Sequence, residues 1–282
     1  MSTELHTEIP SASGERAMAL YRLMSKVHHG DKRVRKALSS GEAAMSYWPV
    51  DGQEAMSAGA MLALADGDQL VTTYRGLGDV LAKGVDLRGY FAEILGRRDG
   101  LSRGKAGAMG IHDPAHGIAW TTGIVGAGPL IANGIALAAD LRKTGQVVLV
   151  SFGDGATSIG YVHEAMNMAA LWSLPVVFFC QNNFWAECTS YGRYTRTERL
   201  SDRAAGPGDA QALPIAQAMS KGGWPWGPAV LAALGAEKTA PPKNAAAGLN
   251  IFHLLDEWQD RAPEPPPGNH SVEPDEARAR LA

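Results

Sequence analysis

A chain of 282 residues is long enough to bury a full apolar core in one or two domains. Its 26 lysines and arginines against 29 acidic residues leave a formal net charge of −3, so nothing points to nucleic acid or a polyanionic surface as partner. No apolar stretch approaches the roughly 18 residues of a membrane span. The amino terminus carries Glu4 and Glu8 without an apolar core, so neither a secretory nor a transit peptide is expected. Cys180 and Cys188 form no metal or redox motif, which favours a reducing, cytoplasmic setting.

In chain order, residues 14–29 place Met18, Tyr21, Met24 and Val27 at helical spacing, with Gly30 as the expected stop. The basic run Lys32-Arg33-Val34-Arg35-Lys36 reads as the solvated face of a short helix rather than a nucleic-acid patch. Residues 52–64 predict a helix dense in Ala55, Ala58, Gly59 and Ala60, suited to close packing on another helix or a partner subunit. Leu70-Val71-Thr72-Thr73 reads as a strand that delivers Tyr74-Arg75-Gly76 to its end. Taken alone, Arg75 could be a surface ion-pair residue, yet its planar, permanently charged fork also suits phosphate. Leu87 to Leu95 predicts another helix. Residues 98–120 are glycine-rich and weakly periodic, and a loop that long in a compact domain is usually functional. Gly123-Ile124-Val125-Gly126 then introduces a small-residue helix running to Arg142.

The most informative stretch follows. Val147, Val148, Leu149, Val150 and Phe152 form an apolar run closed by Gly153-Asp154-Gly155. Val176, Val177, Phe178 and Phe179 form a second, closed by Asn182-Asn183. Between them Ile159, Val162, Met166 and Ala169 share one helical face, so the whole predicts a βαβ unit. A right-handed crossover makes the two strands parallel and sets Asp154 and Asn183 at their carboxyl ends, where open α/β sheets bind ligands. Asp154 could merely cap a helix. With the asparagines opposite, the better reading is an oxygen site for a hard divalent cation beside a diphosphate. Glycines on either side of Asp154 allow close approach of the backbone. Nucleotide readings fit poorly: Ser158 stands where a dinucleotide fingerprint needs its third glycine, Ile131 fails the same test after Gly126-x-Gly128, and no P-loop occurs. No G-x-S-x-G elbow supports a hydrolase. The expected fold class is α/β, a mostly parallel sheet with helices on both faces.

The GDG and NN segments, with this spacer, resemble the thiamin diphosphate-binding motif. The text GDGATSIGYVHEAMNMAALWSLPVVFFCQNN resembles the alpha subunit of the decarboxylating component of 2-oxo acid dehydrogenase complexes, the family of the pyruvate, branched-chain and acetoin dehydrogenases. Upstream, Gly52-Gln53-Glu54-Ala55, Tyr74-Arg75-Gly76, Gly104-Lys105 and Gly123-Ile124-Val125-Gly126 match in family order. The resemblance implies the thiamin diphosphate-binding fold over residues 1–205. It implies Mg²⁺ on Asp154 and Asn183 with the Trp185 carbonyl as a backbone ligand. Tyr74, Arg75, Gly155 and Ala156 would contact the diphosphate, and the backbone at Gly123 and Val125 the aminopyrimidine ring. It further implies oxidative decarboxylation of a small 2-oxo acid, or cleavage of acetoin, with the acyl unit passing to a lipoyl-bearing acyltransferase core. The acid–base glutamate would stand on a separate beta subunit, in a two-alpha, two-beta assembly, and no catalytic acid or base is assigned within this chain.

Several residues depart from the family pattern. Ala108 and Gly110 replace a serine and a histidine, Leu77 stands where many relatives have a histidine, and Ser46-Tyr47-Trp48-Pro49 replaces a histidine-containing stretch. His112 is expected to be a solvent-facing loop residue. Past Ala205 the resemblance stops, and eleven of the sixteen prolines fall in residues 206–282. Only Leu249 to Trp258 suggests a helix there, disorder is expected for much of the rest, and a shifted reading frame near Gly206 would account for the change. The alternative function is a truncated or non-catalytic cofactor-binding subunit without the carboxyl-terminal active-site loop.

Overall fold

The computed structural model describes residues 14–196 and residue 200. The tail at 206–282, with its expected helix and disorder, lies outside the described residues. Among those described, four parallel strands build the central sheet: β1 (Gln69–Thr73), β2 (Ile118–Thr122), β3 (Val148–Gly153) and β4 (Val176–Gln181), in spatial order β2-β1-β3-β4. Two short strands, β5 (Trp185–Ala186) and β6 (Thr189–Ser190), pair antiparallel beyond β4.

Side chains alternate across a strand, and here both faces are apolar. Leu70, Leu149, Val177 and Phe179 enter one core, which also takes Val27, Val34, Met61, Val80, Leu81 and Tyr90 from α1 (Gly14–Ser39), α2 (Glu54–Ala63), α3 (Leu77–Lys83) and α4 (Leu87–Ile94). Val71, Val148, Val150, Phe152, Val176 and Phe178 enter the other. There they meet Ala132 and Ala136 of α5 (Gly128–Leu141) and Val162, Ala165, Met166 and Ala169 of α6 (Gly160–Trp172). Each fully buried Val, Leu or Phe contributes roughly 1.5–3 kcal/mol, so the doubly covered β3 and β4 are the firmest part of the sheet. Cys180 is buried in β4, as expected of a small apolar side chain, and Cys188 is exposed.

Two expectations are corrected. The first helix does not stop at Gly30 but continues to Ser39. A Cβ at Gly30 would stand 2.3 Å from Leu81 Cδ1, so this glycine lets α1 pass close against α3. The basic run thus belongs to a long helix: Val34 is buried, Arg33 pairs with Glu42 at 2.8 Å and Arg35 with the buried Asp31 at 2.6 Å. The second correction is β2, a strand that begins inside the stretch 98–120 read as loop and runs on to Thr122. Among the described residues it pairs with β1 alone, and it exposes Trp120, which blunts its alternation.

The glycine-rich loop before β2 is organised by one carboxylate. Glu93 in α4 is 1% exposed and accepts N–H bonds from Ser102 (2.7 Å), Gly104 (2.8 Å), Ala106 (2.7 Å) and Gly107 (3.1 Å). Gly104 takes φ +72 in contact with the backbone of residues 96 and 97, where a side chain would collide. Burial opposes the charge on Glu93, but the backbone donors outweigh it and hold the pKa below the usual range. A lowered folded-state pKa gives stability that is present above the unfolded value, about 4.3, and lost as pH falls through the folded one. Glu93→Gln would turn an amide group onto backbone donors. It should cost about 1–3 kcal/mol, read as a lower urea midpoint, and should remove that part of the acid dependence.

Candidate cofactor-binding site

Because the four strands are parallel, their carboxyl ends share one sheet edge. β3 and β4 run in register to Gly153↔Gln181, so Asp154 and Asn182 leave the sheet side by side. β1 and β2 end in register at Thr73↔Thr122, so Tyr74 and Gly123 do the same, with Tyr74 N donating to Thr122 O at 3.0 Å.

Asp154 opens a 3₁₀ turn (Asp154–Ser158) and is 1% exposed. It is not the cap of α6, whose capping position is Ile159 with no side-chain cap bond. Its Oδ1 accepts from Asn183 N at 3.4 Å and its Oδ2 from the Tyr194 hydroxyl. Burial is the largest influence on this carboxyl and raises its pKa, despite those donors. Its proton-linked stability is therefore full below the unfolded pKa and lost as pH rises through the folded one. Its burial thus makes the charged form costly.

The two asparagines form successive turns. Asn182 Oδ1 accepts from Phe184 N at 2.9 Å and Asn183 Oδ1 from Trp185 N at 3.0 Å. Phe184 takes φ 63, and the chain doubles back through β5, β6 and the short α7 (Tyr191–Tyr194). This strap lies on the Asp154 turn so closely that a Cβ at Gly155 would stand 2.8 Å from Ala186 Cβ. Ala156 has its side chain in the second core, which leaves its backbone for any ligand contact.

Asp154, Gly155, Asn183 and Trp185 are thus gathered in one knot. Tyr74 packs on Trp48 with ring centroids 4.6 Å apart. Arg75 donates to Pro49 O at 2.6 Å. Burial lowers the Arg75 pKa, while Tyr74, Tyr47 and the Asp154 carboxylate favour its charge. Gly123 and Val125 are exposed, and the Met109 thioether packs against Gly123. Leu77 is buried in the first core, and His112 is exposed with Nδ1 2.7 Å from Ala119 O. Neither brings an imidazole to this edge.

Two features escaped the sequence. Tyr194 lies 40 residues from Asp154 and belongs to no motif. Asp79, 1% exposed, takes bonds from Ser57 (2.7 Å), Thr72 (2.6 Å) and Gln181 (2.8 Å), and so braces the end of β4. Elsewhere His28, Asp51 and Glu54 cluster with ligand atoms within 4.8 Å. The Arg35 guanidinium is 3.7 Å from Asp51, which makes this an ion-pair network. Among the described residues no helix is long and apolar enough to cross a membrane.

A buried carboxylate, a carboxamide and carbonyls of one tight turn form an all-oxygen donor set, which suits a hard cation. Beside them Gly155 has no side chain, and Ala186 of the strap closes on its Cβ side. The sequence model of the dehydrogenase E1 component matches residues 21–211, and the chain belongs to that family. It is similar to the alpha subunit of acetoin:2,6-dichlorophenolindophenol oxidoreductase of Bacillus subtilis (strain 168), 38% identical over 195 residues, covering 69% of this chain and 59% of that protein. The pyruvate dehydrogenase E1 component subunit alpha of Rhizobium meliloti (strain 1021) is 45% identical over 154 residues, covering 55% and 44%. That of Zymomonas mobilis subsp. mobilis is 38% identical over 198 residues, covering 70% and 56%. The chain thus spans less than two thirds of each of these relatives.

Gly155→Ala tests the contact between turn and strap. The added methyl must push Ala186 away, so stability should fall by about 1–3 kcal/mol, read as a lower thermal midpoint. A neutral effect would mean that the strap does not rest on the Asp154 turn.

Proposed function

We propose that this chain is the alpha subunit of a thiamin diphosphate-dependent 2-oxo acid or acetoin dehydrogenase. The observation that carries the reading is the convergence of Asp154 and Asn183 at the ends of two in-register parallel strands, in a chain of this family. Asp154 and Asn183 bind Mg²⁺ through their side chains, and Trp185 through its carbonyl. Asp154 is suited to this because a bound cation offsets the cost of its buried charge. Tyr74, Arg75 and the backbone at Gly155 and Ala156 receive the diphosphate, with Arg75 turning from Pro49 O to a phosphate oxygen. Gly123 and Val125, exposed at the end of β2, hold the pyrimidine ring. When bound, thiamin diphosphate supplies a nucleophilic carbon and an electron sink for cleavage beside a carbonyl group.

The chain orients the cofactor and completes the site with a beta subunit, which brings the acid–base glutamate. A lipoyl-bearing acyltransferase core takes the acyl product. The cytoplasm is the proposed setting, in keeping with Cys180 and Cys188 forming no disulfide. The residues 1–205 form the proposed cofactor-binding unit, and 206–282 a separate segment.

A second reading, a subunit that binds cofactor without turnover, is favoured by the apolar burial of Leu77, at a position where the family resemblance leads one to expect a histidine in many members. Co-expression with a beta-type partner and an assay of thiamin-dependent 2-oxo acid or acetoin consumption separates the two. Turnover supports the first; retained cofactor binding with no turnover supports the second. In either case Asp154→Ala should abolish Mg²⁺-dependent binding of thiamin diphosphate in calorimetry while the far-ultraviolet spectrum is kept. Unchanged affinity would overturn the assignment of the site.

A further inference from the structure

The two oxygens of Asp154 are treated differently by the fold. Oδ1 faces the end of β4, with Asn183 N at 3.4 Å, while Oδ2 takes the hydroxyl of Tyr194. Tyr194 reaches it because the strap returns on a ladder of rings. Phe184 packs edge-on against Tyr191 at 5.6 Å, and Tyr191 against Tyr194 at 5.6 Å. Tyr191 N closes the strap by donating to Phe184 O at 2.8 Å. Phe184 itself is held at φ 63, which a bulky residue adopts only when its surroundings impose it. The residue that starts the ladder directly follows the two asparagines. The phenol is therefore placed by the same turn that carries Asn183.

We propose that Tyr194 is a positioning residue for the divalent cation: its hydroxyl fixes the Asp154 carboxylate through Oδ2 and leaves Oδ1 presented toward Asn183. This rests on the reading that Asp154 and Asn183 hold Mg²⁺. Mg²⁺ demands near-ideal octahedral geometry, whereas Ca²⁺ accepts looser and longer coordination. A carboxylate with a free torsion should thus harm Mg²⁺ binding more than Ca²⁺ binding. Carboxylates that ligate metals are commonly hydrogen-bonded in turn, and loss of such a partner costs about 10–100-fold in metal affinity. A phenol that merely occupied a ligand position would act with the opposite sign, since its removal would tighten binding.

The test uses the full chain co-expressed with its beta-type partner, titrated with Mg²⁺ and separately with Ca²⁺ at fixed thiamin diphosphate. Intrinsic tryptophan fluorescence reads binding, since Trp185 lies in the site. Tyr194→Phe keeps the ring and its packing and removes only the hydroxyl. The expected result is an apparent Mg²⁺ dissociation constant raised about 10–100-fold, with a smaller rise for Ca²⁺. Equal losses for both cations would mark a merely structural role and overturn the proposal, as would unchanged or tighter Mg²⁺ binding. Asp154→Ala in the same titration separates the two levels. If it too leaves Mg²⁺ binding unchanged, the underlying site assignment falls; if it alone abolishes binding, only the role of Tyr194 falls.

Discussion

The site depends on one alignment, the in-register parallel pairing of β3 and β4. Strand registers are specified where a slip would turn apolar side chains out of the core. Here both strands bury both faces, so a slip by one residue would exchange Val148, Val150 and Phe152 with Leu149 between two differently shaped cores. The result is that Gly153 and Gln181 end level, and the next residues on each strand meet. Asp79 reinforces the alignment from α3. Its carboxylate takes Thr72 from β1 and Gln181 from β4, the two strands flanking β3, together with Ser57 from α2. One buried carboxyl group therefore ties together the neighbours of the strand that carries Asp154.

What the sequence made legible follows from how local each signal is. The β3–α6–β4 unit could be read because two apolar runs and one helical face are periodic within a short window, and residues that leave strand ends are placed by the strands themselves. Glycine was ambiguous. Gly30 reads as a stop by local rules, yet its missing side chain serves a contact with Leu81, some fifty residues on, which no window contains. Strand β2 was hidden for a related reason: with a single neighbour among the described strands and Trp120 exposed, its five residues lack the clean alternation of a half-buried strand. Tyr194 and Glu93 were invisible as partners because a hydrogen bond across a fold leaves no period in the text. The placement of Asp154 and Asn183 at adjacent strand ends could be anticipated, but not which groups bond to Asp154.

The strap also explains why the paired asparagines come where they do. An amide side chain that accepts from the backbone two residues ahead makes a tight turn without help from its neighbours. Two such turns in succession, at Asn182 and Asn183, reverse the chain at the sheet edge and hold Phe184 in the left-handed region. The Asn183 amide oxygen is also the proposed ligand, and in this structure it already accepts from Trp185 N. Turn and ligand roles draw on one set of lone pairs. Binding would therefore be felt along the strap, through Trp185 and the ring ladder, rather than at the metal alone.

Two buried carboxylates show how the same group can be used in opposite ways. Glu93 and Asp154 are each 1% exposed. Around Glu93 the chain supplies enough backbone donors to favour the anion over water, so its pKa falls and it anchors a loop. Around Asp154 the donors do not offset burial, and its pKa rises. A fold that only needed a structural anchor at the end of β3 could have surrounded Asp154 as it surrounds Glu93. Leaving an acid short of compensation at a sheet edge makes sense when positive charge arrives from outside the chain. If Asp154 binds a cation as proposed, the stability forgone there would become part of the affinity for it.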